Sequence, residues 1–286
     1  MDIVIGILFH GVASAMLLYM ISVGLAVTMG LMNFVNLAHG AFAMAGGYLA
    51  IAGMQRFGLP FVPAVLLAAL AVGAASIAIE RVFYARLYRA GELSQVLLTM
   101  GLMFIATAAA KFAFGPSPQN IQAPDWLSGQ FSLGGTMVPL YRTMVIGAGC
   151  ATAGLMWVLI ERTSLGARLR AAVDNRRMAE TIGIRTDRVF MLTFALGSGL
   201  AALGGAIGAE ILPMRPTYAL EMLVYVLIVV SVGGLGSLHG PFFAALLLGI
   251  TDTAFKYLFP DVGGFFIYVA MLLLLLWRPR GLFGRR

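Results

Sequence analysis

The chain has 286 residues, 60% of them hydrophobic and only 11% charged, with a mean hydropathy of +0.93. A soluble domain carries about a quarter charged residues, so this composition excludes an ordinary soluble enzyme and leaves room for about eight to ten membrane spans of about 20 residues each. The formal charge of +7 comes from basic residues beside apolar runs, where membrane topology and anionic lipid account for it and nucleic acid does not.

In chain order, the run 3–30 follows an acid, lacks a basic flank and exceeds a signal-peptide core, so it reads as a retained first span. Further spans are predicted at 40–54, 61–79, 93–114, 143–160, 189–209, 221–232, 241–258 and 264–277. Those at 40–54 and 221–232 are short for a full crossing and read as tilted or broken. The expected fold is all-α: one polytopic domain over 1–286, with about eight or nine transmembrane segments and a helix in a cytoplasmic loop at about 161–188.

Nine crossings put three basic segments on one side. They are Arg81, Arg86 and Arg89; the seven arginines of 161–188; and Arg278, Arg280, Arg285 and Arg286. Together these are fourteen of the nineteen basic residues. The bias predicts an N-terminus outside and a C-terminus in the cytoplasm. The connection 115–140 then lies outside. Its FSLGGTMV segment reads as two short strands about Gly134 and Gly135, forming either a lid or a platform for an external partner.

Catalytic patterns are missing. There is no GxxxxGK[ST] loop, HExxH or GxSxG, and GGLGSLHG at 233–240 lacks the third glycine of a dinucleotide turn. His10, His39 and His239 have no metal-ligand spacing. Cys150, inside an apolar run, reads as a packed thiol. No catalytic residue, metal site or bound cofactor is expected, and the chain reads as a non-enzyme.

Three features are positive. First, Asn33, Asn36 and His39 recur at i, i+3 and i+6 in an apolar stretch, followed by Gly40, Gly46 and Gly47. Polar groups at membrane depth must face protein or water, so the stripe either lines or gates a pathway or caps the next helix. The segment has an echo: LAHGAFAMAGGYL at 37–49 resembles LHGPFFAALLLG at 238–249, which pairs His39-Gly40 with His239-Gly240.

Second, ERTSLGARLRAAVDNRRMAETIGIRTDRV from Glu161 allows a short amphipathic helix. Leu169, Ala172, Val173, Ala179 and Ile182 would pack on one side, and Gly183 would end it. It reads as a docking surface or as a basic loop on anionic lipid. Third, Gly197, Ala201, Gly205 and Ala209 repeat every four residues, the spacing of close helix packing, which reads as tight internal packing ahead of a subunit interface. Glu221 and Asp252 lie in or beside apolar runs, and Lys111 could pair with either.

Four segments carry a family resemblance over nearly the whole chain: GLMNFVNLAHGAFAMAGGY from Gly30, RTSLGARLRAAVDNRRMAETIGIRTDRVFMLTFALGSGLAALGG from Arg162, SVGGLGSLHGPFFAALLLGI from Ser231, and RPRGLFG from Arg278. The chain resembles the H-type permease subunits of bacterial ABC importers for branched-chain amino acids. It departs from that pattern at His239 to Pro241.

The resemblance implies a loop that couples to ATPases through Arg170, Ala171, Asp174, Met178, Ala179, Gly183 and Ile184. It also implies a translocation path in which Asn33, Asn36, His39, Gly40, His239 and Gly240 line or gate. The implied assembly lies in the bacterial inner membrane. It has an M-type sibling permease, two ATP-binding subunits that hold ATP and magnesium, and a periplasmic binding protein. Relatives that carry urea, short amides or aromatic acids keep the solute open. A self-sufficient secondary transporter is disfavoured by the scarcity of membrane-embedded acids.

Overall fold

The computed structural model describes residues 2–32, 34–87, 90–234, 237 and 239–284. Asn33, Arg89, Arg285 and Arg286 lie outside the described residues. Each predicted span is a helix: α1 Asp2–Met32, α2 His39–Phe57, α3 Phe61–Ile79, α4 Glu92–Phe114 and α5 Leu140–Trp157. The polar loop supplies α6 Ser164–Asp174 and α7 Arg176–Thr181. Then come α8 Thr186–Gly208, α9 Tyr218–Gly233, α10 Gly240–Leu258 and α11 Phe266–Trp277. The last turns of α3 and α5 widen to π geometry over Glu80–Tyr84 and Val158–Arg162.

Among the described residues five helices, α1, α3, α4, α5 and α8, are long and apolar enough to cross a membrane, and α9 and α11 are shorter apolar helices. The chain is thus an all-α polytopic membrane protein. Of the most apolar stretch in α8, 67% is buried, against 17% in α4. The first therefore belongs to the centre of the bundle and the second to its rim.

The centre is built around α1 from Gly11 onward, where the helix is apolar on every side, as a helix buried all round must be. Successive positions turn by about 100°, so Gly11, Ala15 and Tyr19 share one face while Leu17, Ile21 and Gly24 share nearly the opposite one. The first face packs antiparallel on α10: Gly11 meets Ile250, Ala15 meets Gly249, and the Tyr19 ring meets Phe242. The second packs antiparallel on α8, with Leu17 at Gly208, Ile21 at Gly204 and Gly24 at Gly197. A Cβ on Gly24 would run into the Gly197 backbone. On another face of α8, Gly205 and Ala202 receive Ala43 and Gly46 of α2. The small-residue stripe is therefore spent on internal packing.

The 115–140 connection packs on the helix ends. Gln119 exchanges backbone bonds of 2.9 and 2.8 Å with Met214, and Ile121 donates to the Ala209 carbonyl at 3.3 Å. Strands β1 Gln130–Leu133 and β2 Thr136–Pro139 pair antiparallel over the start of α1, where Thr136 sits beside Gly6. Gly134 and Gly135, at φ 58° and 92°, supply the left-handed pair that a two-residue hairpin turn needs.

Three expectations change. Cys150 is exposed on α5 rather than packed. A lipid-facing position is as apolar as a buried one, so composition could not separate them. Lys111 does not serve the acids: Asp252 pairs with Lys256 one turn along α10 at 2.6 Å, and Glu221 pairs with Arg215 at 3.5 Å. The loop helix is two helices. Asn175, at φ −154°, leaves the helix after Asp174 and accepts the Met178 N–H at 3.0 Å through Oδ1. A side-chain oxygen that can cap a new helix competes with continuation of the old one.

Candidate functional site

Two members of the polar stripe, Asn36 and His39, lie at the break between α1 and α2 and bond to protein groups. Asn36 is buried. Its Oδ1 accepts the Ala38 N–H at 3.1 Å and the Tyr84 hydroxyl at 3.2 Å. This is an Asx turn, which starts the next helix. Its Nδ2 has no partner among the described residues. His39 is also buried, with Nε2 2.8 Å from the Ile21 carbonyl oxygen in the middle of α1. Gly40 lets α2 approach α9, because a Cβ there would meet the Ala219 carbonyl. Gln95, which the sequence did not single out, fastens the break from α4. Its Oε1 accepts the Val35 N–H at 3.1 Å, while Nε2 donates to the carbonyls of Leu87 and Ala90. A glutamine in the first turn of an apolar span was the available signal.

The second His-Gly pair has a different setting. His239 is exposed at a cavity of about 350 Å³ between α1, α5 and α10, lined by Tyr19, Met156, Trp157, Glu161 and Phe242 among others. Its walls are apolar and aromatic, with Glu161 and His239 as ionisable groups. Gly240 sits tight against the Gly233 carbonyl, and its N–H donates to Ser237 Oγ at 3.0 Å. The two His-Gly pairs each begin a 19-residue helix whose start meets the middle of α1, one at Ile21 and the other at Tyr19.

The polar loop is a structured piece tied to the spans on both sides. The Thr163 side chain caps α6 by accepting the Gly166 N–H. Leu169 and Ala172 bury against Val27, Met156, Ile160, Val189 and Phe190. Gly166 lies against the Ile160 backbone with no room for a Cβ, a contact hidden in the sequence as a helical glycine. Arg170 donates to the Ile160 carbonyl and lies 3.9 Å from Glu161, which ties α6 to the end of α5.

Arg176 ties α7 to the start of α8. It reaches Glu180 at 3.1 Å and Asp187 at 2.6 Å, and its guanidinium lies over the Phe190 ring at 5.4 Å. Thr186 donates to the same Glu180 oxygen at 2.6 Å. The sequence did not mark this latch, because an arginine among seven carries no sign of its partner.

Gly183 ends α7 at φ 86°. Its N–H goes to the Glu180 carbonyl and that of Ile184 to the Ala179 carbonyl, both at 3.0 Å. This is a Schellman motif, with Ile184 closing over Ala179. Ala179 is buried as expected, and Ala171, Val173 and Ile184 are partly buried. Ile182 is 69% exposed rather than packed, beside Met178 at 61%, because the break at Asn175 turns α7 away from the face of α6. Asp174, Arg168, Arg177, Arg185 and Arg188 are exposed in the same loop.

At the opposite end of α1, Arg142 lies 2.9 Å from His10 Nδ1. Burial holds the nearby Glu210 carboxyl above its usual range, and the attraction of Arg142 offsets only part of that rise. Among the described residues, no group of three or more His, Cys, Asp or Glu gathers to hold a metal.

Apolar helices joined at buried polar breaks, with a charged two-helix loop fastened to two of them, have the architecture of a multi-pass membrane protein. The chain belongs to the family of branched-chain amino acid transport system permease components, whose sequence profile matches residues 7–275. It is a permease and not an enzyme. It is 27% identical to the high-affinity branched-chain amino acid transport system permease protein BraD of Pseudomonas aeruginosa, over 93% of this chain and 91% of that protein. It is also 27% identical to the corresponding LivH protein of Escherichia coli strain K12, over 97% and 94%. A solved structure, PsaBC from Streptococcus pneumoniae in complex with Fab, is similar in fold. Its TM-score is 0.53 over 93% of this chain and 88% of that one, at 14% identity.

Proposed function

We propose that this chain forms one side of the translocation path for branched-chain amino acids in an ATP-driven importer. A related M-type permease completes the path. Two ATP-binding subunits, which hold ATP and magnesium, dock on the cytoplasmic loops of the two permeases, here 161–188, and a periplasmic binding protein delivers the solute. The location is the bacterial inner membrane, with the N-terminus outside and the loop and C-terminus in the cytoplasm. The arginine bias supports this orientation, and the names of the 27% identical relatives support the solute.

The observation that carries this reading is the double fastening of the loop, Arg170 to Ile160 at one end and Arg176 to Asp187 at the other. A partner that grips Met178, Ile182 and the surrounding arginines, with Arg170, Ala171, Asp174, Ala179, Gly183 and Ile184 as the body of the lever, moves α5 and α8 together. Helix α8 meets α1 and α2 through glycine and alanine, backbone on backbone, so a shift passes on without being absorbed by side-chain rotation. Partner binding biases transport only if the two states offer it different contacts, and the exposed pair on α7 is where those contacts form. Asn36, His39 and Gly40 act as the hinge of the gate. His239 and Gly240 stand at the wall of the path, and Asn33 belongs with the hinge by position.

The test is reconstitution in liposomes. ATP-dependent leucine uptake is expected only when both permeases, both ATPases and the binding protein are present. Uptake by this chain alone in an ion gradient would overturn the reading.

A further inference from the structure

After α11 the chain turns back on itself. Gly281 adopts φ 78° and lies against Gly234 and the Ser231 carbonyl so closely that a Cβ would not fit. This approach lets Leu282 donate to the Val232 carbonyl at 2.8 Å and Phe283 to the Gly233 carbonyl at 3.2 Å. Both carbonyls belong to the last turn of α9, where a helix leaves acceptors without intrahelical donors. The tail thus fastens the end of α9 beside the start of α10.

From Phe283 a file of rings runs inward. Phe283 stacks on Phe243 with centroids 5.4 Å apart, Phe243 meets Phe242 edge-on at 5.6 Å, and Phe242 meets Tyr19 edge-on at 5.3 Å. Phe243, Phe242 and Tyr19 all line the cavity between α1, α5 and α10, with His239 beside them. Stacked and edge-on rings resist relative displacement because their quadrupoles favour these offsets.

We propose that Phe283 is a positioning residue for transport: the tail 281–284 is a clip on the α9–α10 break, and Phe283 sets the cavity wall through Phe243 and Phe242. The residue touches no solute. Its effect is on where the first turn of α10 and its two phenylalanines stand. The transport readout below rests on the proposed function, and the exchange readout does not.

The experiment compares Phe283→Ala, Phe283→Leu and Phe283→Tyr in the assembled complex in lipid nanodiscs. Amide hydrogen exchange over 241–246 is expected to quicken about five- to tenfold in the Ala variant, the scale of losing one ring pair. Exchange over 197–205 in α8 stays unchanged, and the Tyr variant restores the native rate. In liposomes, the Ala variant should raise the leucine concentration for half-maximal uptake several-fold while keeping the maximal rate within about twofold, a split that mere loss of folded protein does not produce.

If the Ala variant does not accumulate, the Leu variant carries the same comparison, because it keeps volume and removes the ring. Native exchange over 241–246 in an accumulating Ala or Leu variant would overturn the proposal, as would failure of the Tyr variant to restore it. Altered exchange together with an unmodified complex that does not take up leucine would leave the clip standing and overturn the proposed function.

Discussion

His39 at the start of α2 and Ile21 in the middle of α1 are joined by a 2.8 Å hydrogen bond from imidazole Nε2 to carbonyl oxygen. The chain between them has left one helix, turned at Asn36 and begun another, and this bond fixes where the second begins. A buried bond of this kind contributes about 0.5–1.5 kcal/mol net. His39→Leu should lower the unfolding temperature of the purified permease, and His39→Gln, which keeps a donor, should recover part of the loss. Equal melting of the Leu and native proteins would remove the bond from the account of the break.

Asn36→Leu should act mainly on folding. It strands the Ala38 N–H and the Tyr84 hydroxyl in the interior, at a cost of about 1–3 kcal/mol for each buried group left unpaired. Protein level in the membrane and uptake should fall together. A variant that accumulates normally yet does not transport would point to contact with the solute.

At Gly183 the prediction separates backbone from packing. Nothing lies within 4 Å of a Cβ there, but φ is 86°, so a side chain meets strain of about 1–2 kcal/mol and no clash. Gly183→Leu should keep protein level and ATPase activity while reducing leucine taken up per ATP hydrolysed. Gly183→Asn, better suited to the left-handed region, should reduce it less. Unchanged coupling in the Leu variant would take Gly183 out of the lever.

Arg176→Ala breaks the ties to Glu180 and Asp187 and the contact with Phe190. These groups are substantially exposed, so the stability loss should stay under about 1 kcal/mol. The measured defect should be in uptake per ATP. Arg176→Lys should not repair it, since one ammonium cannot replace a planar fork that bridges two carboxylates and a ring. Full repair by lysine would show that charge alone suffices.

Gly24→Val and Gly147→Ala make a contrasting pair. The first drives a branched side chain into the Gly197 backbone, the second adds a methyl where nothing lies within 4 Å. Overpacking of such a contact costs about 1–3 kcal/mol or more, so Gly24→Val should leave little folded protein. Gly147→Ala should be neutral or stabilise by up to about 1 kcal/mol, as alanine does for a helix interior. A well-folded Gly24→Val protein would mean that α1 and α8 are not held at that crossing.

The helices were legible because a span is a run of about 20 apolar residues, and the nine runs name nine helices. The hairpin at Gly134 and Gly135 and the stop at Gly183 were legible because only a few residue types accept a positive φ. The break at Asn175 was not, since asparagine is tolerated within a helix and only its capping bond to Met178 reveals the new start. Nor was the face of α5 that carries Cys150, because membrane and protein interior demand the same apolar side chains. The stripe at Asn36 and His39 was found, but its bonds were hidden. Tyr84 and Gln95 come from other helices, and no pattern in 33–40 points to them.

The grip on α1 has a consequence for how the protein is made. Its two opposite faces are filled by α10 and α8, which leave the ribosome only after most of the chain has been synthesised. Until then the first helix stands in lipid with its glycine faces bare, and the native crossing at Gly24 and Gly197 cannot form. Assembly of this permease is therefore a late event, and a chain stalled before residue 186 should still yield its first helix to extraction or degradation.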